Sequence, residues 1–494
     1  MPGFHVEHFG CRAARADGEA VSDRLRAAGL CERQPQTADV VVVNTCSVTA
    51  EADRAARAFI RRTHRSNPEA RIVVTGCYAQ RAPEELAAMD GVAAVVGNSH
   101  KGLAPQIVLG LAPRIAGGEN FVGVQSLLTG GNIPGQAPIW VDDRFAHSFI
   151  EEAQLAPGAQ TRPNLKIQEG CGNRCTFCVI PQTRGSSRSM PAAAVMKRVE
   201  GFIAAGGNEL VLSGINLGRW GRDLSEPFDW ERPSLAGLVR GIVEQTSLAR
   251  LRLSSIEPMD WDGELIWLMK EYGGMRLARH AHLPLQSGSD AVLRRMHRRY
   301  RPWHYIEKVM ALIEAAGPEL TVGADVMVGF PGETDGEFEE TLELVQALPF
   351  GYLHLFSFSP RPGTRAWALH AEHPVPFSKV EERMGALRAL AGEKSLAHRG
   401  QFAGRELNAI TLHTPEELER RGCTAALTEN FLPVELEGRL AANRLVRVRV
   451  SGLNAVGALE AVLAEGQYEA TAMSVRSKSV PLKSNSSPVS LASA

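Results

Sequence analysis

The chain lacks any run of about 18 apolar residues, so no membrane-spanning helix is expected. Its opening residues, MPGFHVEHFG, lack the basic start and apolar core of a secretory signal. An excess of either charge is also missing. With 54 Lys and Arg against 55 Asp and Glu, the formal net charge is −1, which argues against a protein that coats a polyanion with its whole surface. Any contact with nucleic acid has to come from local patches. Cysteine is scarce, with eight in 494 residues. In a reducing, cytoplasmic setting these read as metal ligands or catalytic groups and not as a disulfide framework. The remaining composition, 44% hydrophobic and 22% charged, is that of an ordinary globular enzyme with room for about three domains.

Six of the eight cysteines fall into two sets of three. Cys11, Cys46 and Cys77 each follow an apolar stretch: His5 to Phe9, Val40 to Val43, and Ile72 to Val74. Continuous β-branched runs suit parallel strands buried on both faces. Helical stretches, Asp17 to Ala28 and Glu51 to Ser66, lie between them. The cysteine separations, 35 and 31 residues, match one βαβ repeat of about 30 residues each. The three thiols are therefore expected at the carboxyl ends of neighbouring parallel strands, where open α/β sheets place their ligands. A single cysteine after a strand would read as a buried structural residue. Three in one topological position favour a shared metal. Zinc usually takes four protein ligands in a structural site, and no fourth is evident.

The second set is tighter. Cys171, Cys175 and Cys178 form a C-x3-C-x2-C run at a strand-to-loop transition beginning at Lys166. Gly170 and Gly172 permit close backbone approach, and Phe177 can shield a cluster from water. Taken alone, the spacing also suits part of a ferredoxin or zinc site. Each iron of a 4Fe-4S cube wants a ligand beyond its sulfides, so a trio of thiolates leaves one iron open. Two trios imply two reactive clusters. Downstream, strands are expected at 210–214, 251–255, 281–285, 322–328 and 353–358, with helices at 192–205, 235–244, 290–297 and 303–316. This alternation predicts a parallel, partial α/β barrel with its chemistry at the carboxyl ends of the strands. Gly329 to Thr334 reads as a turn opening a helix capped by Thr334 or Asp335. His282, read by itself, is a satisfied core histidine.

The C-x3-C-x2-C run with an aromatic residue before its last cysteine resembles the signature of the radical S-adenosylmethionine superfamily. That resemblance implies S-adenosyl-L-methionine chelated to the open iron through its amino and carboxylate groups. Electron transfer then cleaves it to methionine and a deoxyadenosyl radical. Cys171, Cys175 and Cys178 are the implied catalytic ligands. Gly206-Gly207-Asn208-Glu209 resembles the superfamily's Gly-Gly-Glu motif with one residue inserted. Gly207, Glu209, Ser255 and Gln286, with Glu257 nearby, become the implied cofactor-binding positions. A helix or strand cap is the alternative for each.

Both trios in this order, followed by a small β-rich end, resemble the methylthiotransferases, from about residue 3 to residue 465. Lys-Ile-Gln-Glu-Gly-Cys at 166–171, Ser-Ser-Ile-Glu-Pro at 254–258 and Gln-Thr-Ala-Asp-Val at 36–40 look most like one branch. That branch converts threonylcarbamoyladenosine beside the tRNA anticodon to its 2-methylthio form. The resemblance implies two 4Fe-4S clusters. The cluster on Cys171, Cys175 and Cys178 generates the radical, and that on Cys11, Cys46 and Cys77 carries the sulfur to be transferred. It also implies a tRNA substrate and a flavodoxin-like electron donor. Isopentenyladenosine in tRNA and a ribosomal-protein aspartate stay open as targets. A non-catalytic zinc RNA-binding protein and an auxiliary cluster that only passes electrons are further alternatives. One departure stands out: the family's Gly-Cys-x-x-Asn ends here in Ala14, although Asp17 and Glu19 remain.

The expected organisation is α/β throughout its larger part. A parallel α/β methylthiotransferase domain spans 1–112, a Gly-, Pro- and Ala-rich linker 113–160, and the partial radical barrel 161–398. A small OB-like, TRAM-like RNA-binding β-barrel follows at 402–465, on the alternating patterns of 432–436 and 445–450. The Ser-, Lys- and Pro-rich tail, 466–494, should be disordered. The run Arg294 to Arg301 is the strongest basic segment and a candidate phosphate contact. Cys31 and Cys423 have no cluster partners and read as structural.

Overall fold

Val40 to Val43 are all fully buried, because the sheet they belong to is covered on both faces. A computed structural model describes residues 1–113, 136–149, 161–225 and 233–464. Its first sheet contains β1 (Gly3–His8), β2 (Cys31–Glu32), β3 (Val40–Thr45), β4 (Arg71–Gly76), β5 (Val92–Gly97) and β6 (Ile139–Trp140), in the order β2-β1-β3-β4-β5-β6. All pairings are parallel. Val40, Val42 and Val73 pack with Val21 and Leu25 of the helix Arg12–Ala27. Val41, Val43 and Val74 pack with Phe59 and Ile60 of the helix Ala50–Ser66. This two-sided burial is why the strands are continuously β-branched instead of alternating. Strand β6 lies inside the stretch expected to be only a linker. It lengthens the first sheet, pairing Val95 with Ile139. The rest of that stretch, and the tail, lie outside the described residues.

The second unit joins two parallel pieces. One holds β7 (Asn164–Glu169), β8 (Arg188–Ser189), β9 (Glu209–Gly214) and β10 (Arg250–Leu253), in the order β10-β9-β7-β8, with only the short β8 antiparallel. The other holds β11 (His280–His282), β12 (Thr321–Val328) and β13 (Phe350–Ser357). A bridge between Leu251 and Leu277 links them into an open barrel. The pleat sorts the side chains. Leu165, Ile167, Leu210, Leu212, Leu251, Leu253, Val322, Ala324 and Val326 belong to the apolar core beneath the helices. Their alternates, Lys166, Gln168, Ser213, Ser254, His282, Asp325 and His354, face the lumen by the two-residue period of a strand. The helix Asp335–Ala347 starts with the expected cap, a reciprocal capping box between Thr334 and Glu337.

A closed barrel completes the described chain. Its strands β14 (Glu406–Thr411), β15 (Cys423–Thr428), β16 (Pro433–Glu437), β17 (Leu445–Leu453) and β18 (Leu459–Leu463) run in the order β14-β15-β16-β18-β17. Among the described residues no helix is long and apolar enough to cross a membrane.

Three expectations need correction here. Gly207 and Glu209 sit at the amino end of β9, away from the end that carries the cysteines. Gly207 closes the helix Ala192–Ala204, its N–H donating to the Phe202 carbonyl at 3.0 Å. Glu209 is fully buried and accepts from Arg252 Nε at 3.0 Å and Arg250 Nη1 at 3.2 Å. Arg252 also donates to the Thr428 carbonyl at 3.2 Å, so this carboxylate ties the barrel floor to the C-terminal barrel. The third correction is the basic run. Arg294 and Arg301 pair with Asp290, Arg295 with Glu337, Arg298 with Glu257 and Arg299 with Asp260. Each of these arginines has an acidic neighbour, although the Arg294 side chain stays 62% exposed.

Removing one member of a buried ion cluster strands its partners in low dielectric. Glu209→Ala should therefore cost about 3–5 kcal/mol of stability, read by denaturant unfolding, while leaving cofactor binding intact. A carboxylate that held the cofactor's amino group would give the reverse pattern.

Candidate active site

Cys11, Cys46 and Cys77 directly follow the carboxyl ends of β1, β3 and β4, three adjacent strands. Gly10 has φ of 119°, and a Cβ there would meet Cys46 Sγ at 2.9 Å. The chain turns into the site only because that atom is missing. Cys46 and Cys77 are buried and Cys11 is exposed. Burial, reinforced by the neighbouring thiols of Cys77 and Cys11, pushes the Cys46 thiol up to about 12. The trio is close enough for its charges to be felt mutually. N–H donors point at the sulfurs: Val48 N at 3.5 Å from Cys46 Sγ, and Asn98 Nδ2 at 3.3 Å and Arg184 Nε at 3.2 Å from Cys77 Sγ.

Arg184 arrives from the helix Ile180–Arg184, immediately after the second trio. It is fully buried. Its Nη1 donates to Glu169 at 2.8 Å and to Asp17 at 3.1 Å. Lys101 donates to Asp17 at 2.9 Å and Lys166 to Glu169 at 2.8 Å, and each lysine also reaches the other's carboxylate. Burial pushes the Lys101 ammonium down to about 8 against the pull of Asp17. Burial also opposes the charge of Glu169, but Arg184, Lys101 and Lys166 together hold it well below the usual carboxylate range. Three cations face two anions here, and the surplus positive charge lies against Cys77. A centre ligated by thiolates supplies the missing negative charge.

Cys171, Cys175 and Cys178 follow the carboxyl end of β7. Gly170 has φ of 70° and abuts the Ser186 carbonyl. Its close approach is thus to its own chain's 185–186 backbone and not to the sulfurs. Asn173 N and Asn216 Nδ2 lie 3.4 and 3.5 Å from Cys171 Sγ, and Arg298 Nη1 lies 3.3 Å from Cys175 Sγ. Arg298 is buried, paired with Glu257 at 3.1 Å and set over the Tyr300 ring. Burial pushes the Cys178 thiol up to about 12, so ligation here has to displace protons. Phe177 packs edge-on against Phe330.

A cavity of about 210 Å³ is lined by Val48 and Thr49, just beyond Cys46, and by Phe177, Cys178, Gln286 and Asp325. Gln286, at φ of 65°, sits in its wall. Ser255 is exposed just past the carboxyl end of β10. Nearby, Ser213 Oγ, Ser254 Oγ and Asn216 Oδ1 are buried without hydrogen-bond partners. Unsatisfied polar atoms are costly unless a ligand meets them, and a zwitterionic, hydroxyl-rich cofactor such as S-adenosylmethionine fits that need. Nothing in the sequence marked Arg184, Asn98 or Asn216, and Arg298 stood out only as part of a basic run expected to meet phosphate. Asn216 follows a strand end and was findable by the barrel rule. The other three reach the sulfurs only through tertiary packing.

Residues 3–97 match the model of Uncharacterized protein family UPF0004, and residues 165–345 that of the Radical SAM superfamily. The chain is 35% identical to the threonylcarbamoyladenosine tRNA methylthiotransferase MtaB of Bacillus subtilis (strain 168), over 88% of this chain and 90% of that one. It belongs to the radical SAM methylthiotransferase family. The MtaB of Thermotoga maritima is 31% identical over 95% of this chain and all (100%) of its own length. The tRNA-2-methylthio-N(6)-dimethylallyladenosine synthase of Erythrobacter litoralis is 31% identical over 83% of this chain and 86% of its own. Among solved structures, the radical S-adenosylmethionine methyltransferase TsrM of Kitasatospora setae shares the fold, with a TM-score of 0.50 and 15% identity over 72% of each chain.

In this methylthiotransferase Ala14 is buried, and its carbonyl accepts from Asn44 Nδ2. The amide that the family places at 14 is absent, and the amide that reaches the first trio's sulfur is Asn98's.

Gly10→Ala forces a side chain into the place of the Cys46 sulfur at a backbone angle unsuited to L residues. It should cost more than about 1 kcal/mol. Metal loading on the first trio should fall while loading on the second persists, as read by iron content and unfolding.

Proposed function

We propose that this methylthiotransferase adds a methylthio group to C2 of threonylcarbamoyladenosine next to the anticodon of tRNA. Cys171, Cys175 and Cys178 would hold one 4Fe-4S cluster, and Cys11, Cys46 and Cys77 a second. When bound, these groups supply reductive cleavage of S-adenosylmethionine and the sulfur that is transferred. The observation that carries this reading is one cavity of about 210 Å³ lined by Cys178 of the second trio and by Val48 and Thr49, which follow Cys46 of the first. A radical formed at one trio and a sulfur presented at the other have to meet the same carbon, and a shared chamber allows it. The relatives named for threonylcarbamoyladenosine align over more of this chain than the dimethylallyladenosine synthase does, which favours the first substrate.

The chain's own residues have separable tasks. Arg298 and Asn216 stabilise negative charge on the second trio's sulfurs, and Arg184 and Asn98 do so on Cys77. Such donors tune a centre's potential and affinity. Phe177 and Phe330 keep water from the chamber, which protects a radical from side reactions. Ser213, Ser254 and Asn216 offer unspent polar atoms to the cofactor, with Ser255 and Gln286 at the rim. Their position replaces the role expected of Gly207 and Glu209. The closed barrel at 402–465 binds the RNA, and a flavodoxin-like protein of the cytoplasm delivers the electron.

Nucleosides from a deletion strain should lose the 2-methylthio form of threonylcarbamoyladenosine and keep that of isopentenyladenosine. Mass spectrometry decides this, and the opposite loss would overturn the substrate. Cys46→Ala should lower the iron content from about eight to about four per chain. It should spare cofactor cleavage and abolish methylthio product. Persisting product would mean that the first trio only passes electrons.

A further inference from the structure

Besides the two cysteine trios, three adjacent strands bring His282, Asp325 and His354 together on the lumen face. One nitrogen of each histidine and one carboxylate oxygen all lie within 4.8 Å of one another. His282 Nε2 is 3.2 Å from Asp325 Oδ1, and His354 Nδ1 is 3.3 Å from the same oxygen. Donors at about 2.0–2.1 Å around a tetrahedral metal stand roughly 3.3 Å apart. We propose that His282, Asp325 and His354 form a site for one divalent transition metal of the zinc class, with an open position facing the substrate chamber.

The alternative is a plain ion pair, and the orientation of His282 argues against it. The His282 side chain is 5% exposed, yet its Nε2 makes no hydrogen bond. It approaches the carboxylate without the alignment that an N–H donating to Oδ1 requires. Its other nitrogen, Nδ1, lies 3.0 Å from Tyr352 Oη, which in turn lies 2.8 Å from His280 Nε2. A metal here takes the tautomer in which Nδ1–H donates to Tyr352 and the Tyr352 hydroxyl donates to His280, which turns the Nε2 lone pair towards the carboxylate. Two lone pairs directed at one another repel unless a cation stands between them. A partner on the far nitrogen is also the usual way in which a metal-bound imidazole is oriented. Two imidazoles and one carboxylate leave at least one coordination position for another ligand.

That position opens where Asp325, Met327 and Phe356 line the chamber shared with Gln286 and Cys178. A metal there fits an anionic oxygen ligand. On the substrate proposed above, that ligand is the carboxylate of the threonylcarbamoyl group. This assignment of the ligand rests on that proposal, whereas the metal site does not.

Zn(II) titrated into the anaerobically reconstituted enzyme, followed by calorimetry and elemental analysis, tests the site without substrate. The wild type should take up one equivalent beyond its iron. His354→Ala and Asp325→Asn should take up none while keeping their full iron content. His354 has a half-exposed side chain, 53%, so its variant folds even if changes at buried His282 do not. No stoichiometric uptake by the wild type, or equal uptake by both variants, overturns the site. Uptake as expected in an enzyme whose deletion leaves the methylthio form of threonylcarbamoyladenosine untouched would overturn the substrate and leave the metal.

Discussion

The structure depends on one buried guanidinium. Arg184 comes from the radical barrel and ends among Glu169 of that barrel, Asp17 of the first domain and the sulfur of Cys77. Lys101 and Lys166 complete the cluster from either side of the same boundary. Burying five charges is expensive and stabilises only if each finds its partners. Sliding one domain over the other would separate them all. The two cysteine trios are therefore held in a set relation by electrostatics, which apolar packing alone, being non-directional, does not provide. The guanidinium of Arg184 lies against Cys77, so the charge cluster that docks the two domains also touches the first trio.

The barrel shows a second consequence of desolvation. Its outward side chains are aliphatic and its lumen is lined with Lys, Gln, Glu, Arg, His, Asp and Ser. At the floor, Glu209 pairs with Arg250 and Arg252, and Arg252 binds the closed C-terminal barrel through Thr428, while Arg250 Nε and Arg252 Nη1 keep no partner. Towards the mouth, Ser213, Ser254 and Asn216 also keep unpartnered atoms. Between floor and mouth, His282, Asp325 and His354 face one another within 4.8 Å.

Much of this was readable from residue order. The β-branched runs before Cys46 and Cys77 announced strands covered on both faces, and the 35- and 31-residue separations announced parallel neighbours. The second trio's spacing and the alternating barrel elements were equally plain. Gly207 and Glu209 misled because a motif match ignores which end of a strand it occupies. Glu209 begins β9, whereas ligands gather where β9 ends, at Gly214 to Asn216. In the basic run at 294–301, the arginines pair with carboxylates 4 to 42 positions away in the chain, from Glu257 to Glu337, which residue order does not show.

The order of residues determined by itself the two cysteine trios, the parallel α/β architecture and the family. These rest on local spacing and on strand and helix periods, which need no knowledge of distant contacts. Only the tertiary structure decided that Arg184 and Asn98 serve Cys77, that Arg298 serves Cys175, and that His282 is not a solitary core histidine. Each of these depends on side chains from separate strands or domains converging in low dielectric. Such convergence is set by the packing of whole elements and leaves no periodic trace along the chain.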